Sequence, residues 1–316
     1  MNVIRTFGPI PTKNPAVVMA IGFFDGVHLG HQSVIETCRR QAAGLGAEPW
    51  VMTFDPHPLQ LLQPANAPRL ITHLDVKLNI LSGLSIRGVM VVPFTREFSQ
   101  LTPDDFLREL NSHLPGLKGI VVGQNWRFGR NAGGDTAMLR QRAHDLPFQV
   151  TIAASRETAG GDLISSSRIR ETIARGHLDE VSKMLGRNHR LHGKVVDGLK
   201  RGRKLGFPTA NLDLTGYALP PPGIYAARVH RNHQPAYAGA VYLPANQDTQ
   251  NGLLEVHLID FSGNLYGETL TVEFMQRIRG DDLRFTNESD LIHQIASDVD
   301  RIRNMLKNYG IASHQN

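Results

Sequence analysis

Cysteine is nearly missing from this chain. Among 316 residues only Cys38 carries a thiol, which rules out an internal disulfide and a multi-thiolate metal site and fits a reducing compartment. Its neighbours Val34, Ile35 and Ala42 predict a buried helical position for it. Long apolar runs are missing too: stretches such as VVMAI and GVMVV stop far short of the roughly 20 residues that span a bilayer. The opening MNVIRTFGPIPTKN has neither the apolar segment nor the small-residue cleavage site of a secretory signal. The expectation is a cytoplasmic protein with no membrane partner. Repeats and low-complexity tracts are absent, and so is a large charge imbalance. The 34 Lys and Arg against 29 Asp and Glu give a net charge of +5, too little for a dedicated nucleic-acid binder and well suited to small phosphorylated substrates.

What is present divides into two halves. A chain this long exceeds what one core usually serves, so two domains are expected. From Val17 to about Ala154, short apolar runs (VVMAI, WVMTF, GVMVVPF, GIVVG, FQVTIAA) alternate with helix-patterned segments, the mark of a parallel sheet with crossover helices. In LTPDDFLREL, Thr102 is placed to cap a helix, Pro103 suits its first position, and Asp104 and Asp105 suit the positive end of its dipole. Two further helical pieces, SSRIRETIARG and HLDEVSKMLG, close the first domain near Gly186. Beyond Arg187 the strand candidates HGKVVDG, GIYAARVHR, AYAGAVYL, LLEVHLID and TLTVEFM follow one another between Gly and Pro punctuation, and one long helix runs from about Ser289 to Leu306. The reading is an α/β domain over residues 1–186 and a small β-barrel with a packed terminal helix over 187–316.

Chemistry concentrates first in IGFFDGVHLGHQSVI, Ile21 to Ile35, where the first strand of the alternating half turns into a helix. In an open parallel sheet such a turn lies at the ligand edge, and helix amides there bear positive partial charge. Gly22, Gly26 and Gly30 let the backbone approach a bulky anion, and His28 and His31 can donate to phosphate oxygens. Asp25 falls in the same turn. The plainer alternative is that the two imidazoles satisfy local backbone groups; a zinc site fails because two histidines with no nearby Cys supply too few ligands. A second anion-friendly element, SSSRIR from Ser165 to Arg170, sets hydroxyls and guanidinium groups at a helix start.

Together with TFDPHP (Thr53 to Pro58) and VVGQNWRFG (Val121 to Gly129), these stretches resemble the FAD synthetase module of the bacterial bifunctional riboflavin kinase and FAD synthetase family over almost all of Val17 to Gly186. The resemblance implies a Rossmann-like nucleotidyltransferase that moves AMP from ATP to FMN and releases pyrophosphate. It further implies that His28 and His31 hold ATP phosphates, that Asn125 positions the nucleotide or the flavin phosphate, that Ser166, Ser167 and Arg170 close over the triphosphate, and that Gly22, Asp25 and Gly30 shape the cradle. Asp55, His57, Trp126 and Phe128 stand equally as flavin contacts or as turn and packing residues.

The second concentration is HGKVVDGLKRGRKLGFPTANLDL, in which Lys200, Arg201, Arg203 and Lys204 crowd around Gly202 and precede Gly206. A charge run of this kind is usually a solvated loop. Here it leads into FPTAN, which resembles the riboflavin kinase signature of the same family, from about Leu191 to Ile302. That implies ATP held near Lys200 and Gly206, with the Thr209 hydroxyl and the Asn211 carboxamide on a magnesium ion that arrives with the nucleotide. In LLEVHLID, strand alternation puts Leu254, Val256 and Leu258 on one face and Leu253, Glu255, His257 and Ile259 on the other. Glu255, among apolar neighbours, is the expected base for a riboflavin hydroxyl. Where the family generally shows a stretch like NIGTRPTF, this chain has AVYLPANQDTQNG. IRGDDLRF follows the family's acidic pair and Lys before Phe only loosely, with Arg284 in place of the Lys. Three readings stand: a bifunctional enzyme that takes ATP, riboflavin and FMN to FAD, a synthetase with an impaired kinase half, and a non-catalytic flavin-binding protein. Nucleic acid is not an expected partner, and the oligomeric state is left open.

Overall fold

The structure is a computed structural model that describes residues 1–10, 16–198, 201–231, 234–245, 253–307 and 309. The chain divides into two compact units, one of Met1–Pro68 and Leu74–Ser166, the other of Arg69–His73 and Ser167–Asn316.

In the first unit, strands β1 (Asn2–Ile4), β2 (Val17–Ile21), β3 (Glu48–Asp55), β4 (Gly88–Pro93), β5 (Leu117–Gly123) and β6 (Gln149–Ala153) pair in the order β1-β4-β3-β2-β5-β6. Every pairing is parallel. Helices α1 (Leu29–Gly44), α2 (Pro58–Leu62), α3 (Leu74–Ser82), α4 (Arg96–Ser99), α5 (Pro103–His113) and α6 (Thr136–Arg142) connect them. All of β2, VVMAI, is buried, because a central parallel strand is covered on both faces. Alternation decides where each side chain goes. Val17, Met19 and Ile21 join Phe106, Leu107 and Leu110 of α5, while Val18 and Ala20 meet Val34, Ile35 and Cys38 of α1 on the other face. Burial pushes the Cys38 thiol up to about 12, so it stays protonated and inert.

Thr102 caps α5 as its sequence suggests. The Thr102 hydroxyl accepts from the Asp105 amide at 3.1 Å, and the Asp105 carboxylate accepts from the Thr102 amide at 3.3 Å. The parallel order puts all carboxyl ends of the strands on one edge. It also makes β2 the switch point: the chain moves out through β3 and β4 and returns to begin β5 on the other side of β2. Ligands of open α/β sheets bind at that edge and at that point.

In the second unit, β7 (Arg190–Val196), β8 (Ala210–Asp213), β9 (Gly223–Arg231), β10 (Tyr237–Leu243), β11 (Leu253–Leu258) and β12 (Thr269–Arg279) close a barrel in the order β10-β11-β8-β7-β12-β9. Helices α7 (Ser166–Arg175) and α8 (Leu178–Leu185) precede it, α9 (Arg201–Lys204) lies within it, and α10 (Glu288–Lys307) follows. Leu191, Leu212, Tyr225, Val241, Leu254 and Val256 fill the interior. Outside, α10 lays Val299, Ile302 and Leu306 against Ala226 and Ile278.

Five of the six strands coincide with apolar candidates in the sequence. The exception is β8, whose Asn211 and Asp213 are poor strand formers and which is recruited by pairing with β7 and β11. Residues Arg69–His73 belong to this unit through main-chain bonds from Leu70 to Gly216 and from Ala218 to Leu70, and through His73, which stacks on Tyr217 at 3.7 Å. No helix among the described residues is long and apolar enough to cross a membrane.

Glu273 on β12 is 3 % exposed and is held by Asn188 at 2.9 Å, Arg190 at 2.9 Å and His230 at 3.2 Å. Burial alone would push this carboxyl up. The bonds from His230 and Asn188 and the charges of Arg190 and Arg228 outweigh it and bring the group to about 2. A carboxylate lowered in this way stabilises the fold above its ordinary value of 4.5 and loses that contribution as pH falls through about 2. Glu273→Gln is therefore expected to cost about 2 to 3 kcal/mol at neutral pH, with the deficit shrinking as pH drops below about 4. Denaturant unfolding across pH measures both, and a deficit that does not change with pH contradicts the assignment.

Candidate functional site

Between β2 and α1 the backbone passes through three left-handed residues, Phe24 (φ 56°), Gly26 (φ 81°) and Val27 (φ 39°). For the two that are not glycine this costs of order 1–3 kcal/mol each and persists only where the surroundings impose it. Here they do so through side chains bound to the turn's own carbonyls. Thr53 Oγ1 at 2.9 Å and Lys77 Nζ at 2.8 Å donate to the Phe23 carbonyl, Ser166 Oγ donates to that of Asp25 at 2.9 Å, and Gln32 Nε2 to that of Val27 at 3.0 Å. The turn then delivers His28 as the N-cap of α1, a 16-residue helix whose first amides form the positive end of its dipole.

His28 Nδ1 accepts the His31 amide at 3.2 Å, so the hydrogen of the neutral ring sits on Nε2, which is a donor. His31 stacks on His28 at 3.6 Å with 18° between the planes. Burial, then the neighbouring His28 and Lys77, hold His31 well below the ordinary histidine value. Its Nδ1 is buried with no hydrogen-bond partner, a group whose capacity a ligand could meet. A Cβ on Gly30 would stand 3.1 Å from the His28 ring and 3.5 Å from the Ile164 carbonyl, so glycine is what lets the imidazole lie across the helix start. At Gly22 a Cβ would stand 3.1 Å from the Phe24 ring. Asp25 is buried in the same turn.

The structure thus gathers Gly22, Asp25, His28, Gly30, His31 and Ser166 at one turn. Asn125 is exposed just beyond β5, on the same edge of the sheet. Ser167, exposed, and Arg170, whose Nε donates to the Arg69 carbonyl at 2.8 Å, belong to the second unit. Asp55 ends β3, and His57 caps α2 by accepting the Leu59 amide at 3.1 Å. Phe128 is a core residue, stacked under Trp126 at 4.5 Å.

In the barrel, Asn211 on β8 lies opposite Glu255 on β11, and Thr209 Oγ1 donates to Glu255 Oε2 at 3.2 Å. His257, on the same face of β11, has Nδ1 at 2.8 Å from the Pro208 carbonyl, which fastens the FPTAN segment to that strand. Leu254, Val256 and Leu258 point into the core, as alternation requires. A Cβ on Gly198 would stand 2.1 Å from the Asn211 amide nitrogen, so only glycine leaves that carboxamide in place. Gly206 (φ 88°) makes the turn after α9. Lys200 lies outside the described residues.

Thr209 borders two cavities. One of about 490 Å³ is lined by Tyr242, Glu255, His257, Asp281, Phe285 and Leu291; the other, of about 270 Å³, by Arg203, Pro208, Phe261, Leu265 and Tyr266. In the substituted stretch, Ala240 to Ala245 are described and residues 246–252 lie outside. Tyr242 sits opposite Glu255 and donates its hydroxyl to Asp281 at 3.2 Å, and the same carboxylate oxygen accepts the Ala245 amide at 3.0 Å. Arg284 donates to the backbone carbonyls of Asp281 and Leu283. The oxygen donors of Thr209, Asn211 and Glu255 suit a hard cation but fill only part of its shell, as befits a metal carried by phosphates.

Sequence reasoning gave no role to Thr53, Lys77, Gln32, Tyr242 or Asp281. For Lys77 a signal existed: it lies with Val76 and Leu81 on the buried side of α3, where a charged residue is out of place.

Residues 10–168 match the family model described as FAD synthetase, and residues 185–306 match the one described as riboflavin kinase. A bifunctional riboflavin kinase/FMN adenylyltransferase of Listeria monocytogenes is 36% identical over 288 residues, covering 89% of this chain and 90% of the relative. One from Haemophilus influenzae is 36% identical over 286 residues, covering 89% and 92%. Among solved structures, a Streptococcus pneumoniae protein described as a macrolide-efflux protein superposes with a TM-score of 0.81 at 29% identity, covering 96% of this chain and 99% of its own.

The geometry at His31 has a direct spectroscopic consequence. Its ring is expected to stay neutral at about pH 6 in nitrogen-15 NMR, since burial and two adjacent groups oppose its protonation; a protonated ring at that pH contradicts the packing described.

Proposed function

The chain belongs to the bifunctional riboflavin kinase/FMN adenylyltransferase family, and on that premise we propose that it phosphorylates riboflavin to FMN at the barrel and adenylylates FMN to FAD at the α/β unit. ATP is the donor in both reactions. The observation that carries the reading is that each family match covers the unit bearing the corresponding residues: the His28 turn in one, the Thr209 and Glu255 pair in the other. A cytoplasmic location is part of the proposal, supported by the use of ATP.

In adenylyl transfer an FMN phosphate oxygen forms a bond to the α-phosphorus of ATP, the bond from that phosphorus to its bridging oxygen breaks, and pyrophosphate leaves. No covalent enzyme intermediate is required. What the chain must do is align two anions and meet the charge that gathers on the phosphorus and the leaving group. We assign that work to the Nε2 hydrogen of His28, to His31 as a neutral ring, and to the amides at the start of α1. Gly22, Asp25 and Gly30 frame the cradle. Asn125 is assigned to the flavin or nucleotide phosphate, and Ser166, Ser167 and Arg170 to the outer phosphates.

In phosphoryl transfer a riboflavin hydroxyl oxygen bonds to the γ-phosphorus, its proton passes to Glu255, and ADP departs. The Thr209 hydroxyl fixes one carboxylate oxygen and leaves the other for that proton. We assign the flavin to the cavity that Glu255 lines and the nucleotide to the one beside Arg203, and we assign Gly206 and Lys200, the latter outside the described residues, to the nucleotide. A divalent cation is expected with ATP, and we propose magnesium beside Thr209 and Asn211, where it would lessen repulsion between phosphates. The tie between Asp281, Tyr242 and Ala245 supports an active kinase half over an impaired one, because it keeps the described part of the substituted stretch, Ala240 to Ala245, at the wall of the cavity that Glu255 lines.

Purified protein supplied with ATP, magnesium and riboflavin is expected to yield FMN and then FAD on chromatographic separation of flavins; neither product ends the proposal. His28→Ala or Arg170→Ala should lower FAD formation from FMN by about a hundredfold and spare FMN formation, and Glu255→Gln should do the reverse. Loss of both activities in each folded variant would show that the sites are not independent.

A further inference from the structure

Lys77 is 2 % exposed and sits on the face of α3 that turns toward the β2–α1 turn. Its ammonium donates to the Phe23 carbonyl at 2.8 Å and to Thr53 Oγ1 at 3.3 Å, and lies 3.8 Å over the Phe23 ring. Both hydrogen-bond partners are neutral oxygens. Removing a lysine charge from water is costly unless something compensates it; Leu74, Leu78 and Leu81 of the same helix lie in an apolar core, and the carboxylates of Asp25 and Asp55 offset part of that cost. The bland explanation, that Lys77 merely satisfies a buried carbonyl, is weak. Thr53 already donates to that carbonyl at 2.9 Å. What the lysine adds is a second anchor and a positive charge directly behind the turn.

Resting on the adenylyltransferase reading above, we propose that Lys77 is a positioning residue for FAD formation, holding the Phe23 carbonyl so that the left-handed turn presents His28 and the start of α1 to the triphosphate, and adding its charge to their field. Three of the side-chain donors to this turn are hydroxyl or amide groups, from Thr53, Ser166 and Gln32. They fix the backbone without attracting an anion. The ammonium does both, and it stands immediately beneath residues that carry unfavourable torsions, where a small relaxation would move the His28 ring.

The charge is also titratable. Burial pushes Lys77 down to about 8, with Asp25 from the turn and Asp55 from the end of β3 holding it up; from α1, His31, held low first by burial and then by His28, also feels this charge. The ammonium is therefore present below about 8 and lost above it, so FAD formation should decline on the alkaline side with a single ionisation near that value.

The test uses the full chain and follows both reactions. In Lys77→Met, which keeps the stem and removes the charge, kcat for FAD formation at neutral pH is expected to fall by about tenfold or more, the alkaline decline should vanish, and FMN formation should remain within about twofold of the parent. Both tryptophans, Trp50 and Trp126, lie in the α/β unit, so their fluorescence reports whether that unit is folded independently of the barrel. A folded Lys77→Met with unchanged kcat, or with the alkaline decline intact, overturns the proposal. Should that variant not fold, the pH profile of the parent chain decides: a decline in kcat for FAD formation with a single ionisation near 8 and no matching decline in FMN formation are expected, and FAD formation that holds level through that range overturns the proposal. If the parent chain itself makes no FAD, the adenylyltransferase reading fails before this inference is reached.

Discussion

The hydrogen bonds from Thr53, Lys77, Ser166 and Gln32 to the carbonyls between Phe23 and Val27 hold a backbone that would not keep its shape alone. Each donor comes from a different element: β3, α3, the residue that opens α7, and α1 itself. With its carbonyls drawn back into protein, the turn leads into the amide-rich end of α1, and His28 closes the arrangement by capping that helix. The chemistry assigned to this unit rests on oriented dipoles more than on a charged nucleophile, and dipoles act strongly only when they are fixed in advance.

The barrel reaches a similar end by other means. Its site is set by strand register: Asn211 faces Glu255 across one ladder, and Tyr242 faces Glu255 across the next. Alternation sends Leu254, Val256 and Leu258 inward and leaves the carboxylate on the outer face, where Thr209 holds one of its oxygens. A closed sheet allows little slippage, because a shift by one residue would exchange the apolar and polar sets. The Glu255 carboxylate therefore needs few local restraints, whereas the open sheet edge of the other unit needs many.

Much of this was legible in the sequence, for reasons that differ by element. β2 to β5 announced themselves as apolar runs because inner parallel strands are covered on both faces, and α5 because Thr102, Pro103 and Asp105 spell a complete helix start. Glu255 could be placed by the period of two. β1 escaped notice because it has three residues, largely exposed. β8 escaped because Asn211 and Asp213 disfavour strands and yield only to their neighbours' ladders. Lys77 and Thr53 were missed since the contact that gives them meaning joins positions far apart in the chain, and no local pattern reports which carbonyl a buried lysine will meet. Tyr242 could be seen as a departure, but its tie to Asp281 spans the barrel and required the fold.

The short excursion Arg69–His73 limits where this polypeptide can be divided. Leu70 pairs with Gly216 and Ala218, and His73 lies flat on Tyr217, so a few residues from the early part of the chain complete the later unit. A single cut in the gene does not yield two intact modules: the fragment carrying the barrel strands would lose the cover of Tyr217, and the remainder would keep a strip meant for somewhere else. The two units are interleaved along the chain, so any split of it would have to restore that strip to the barrel.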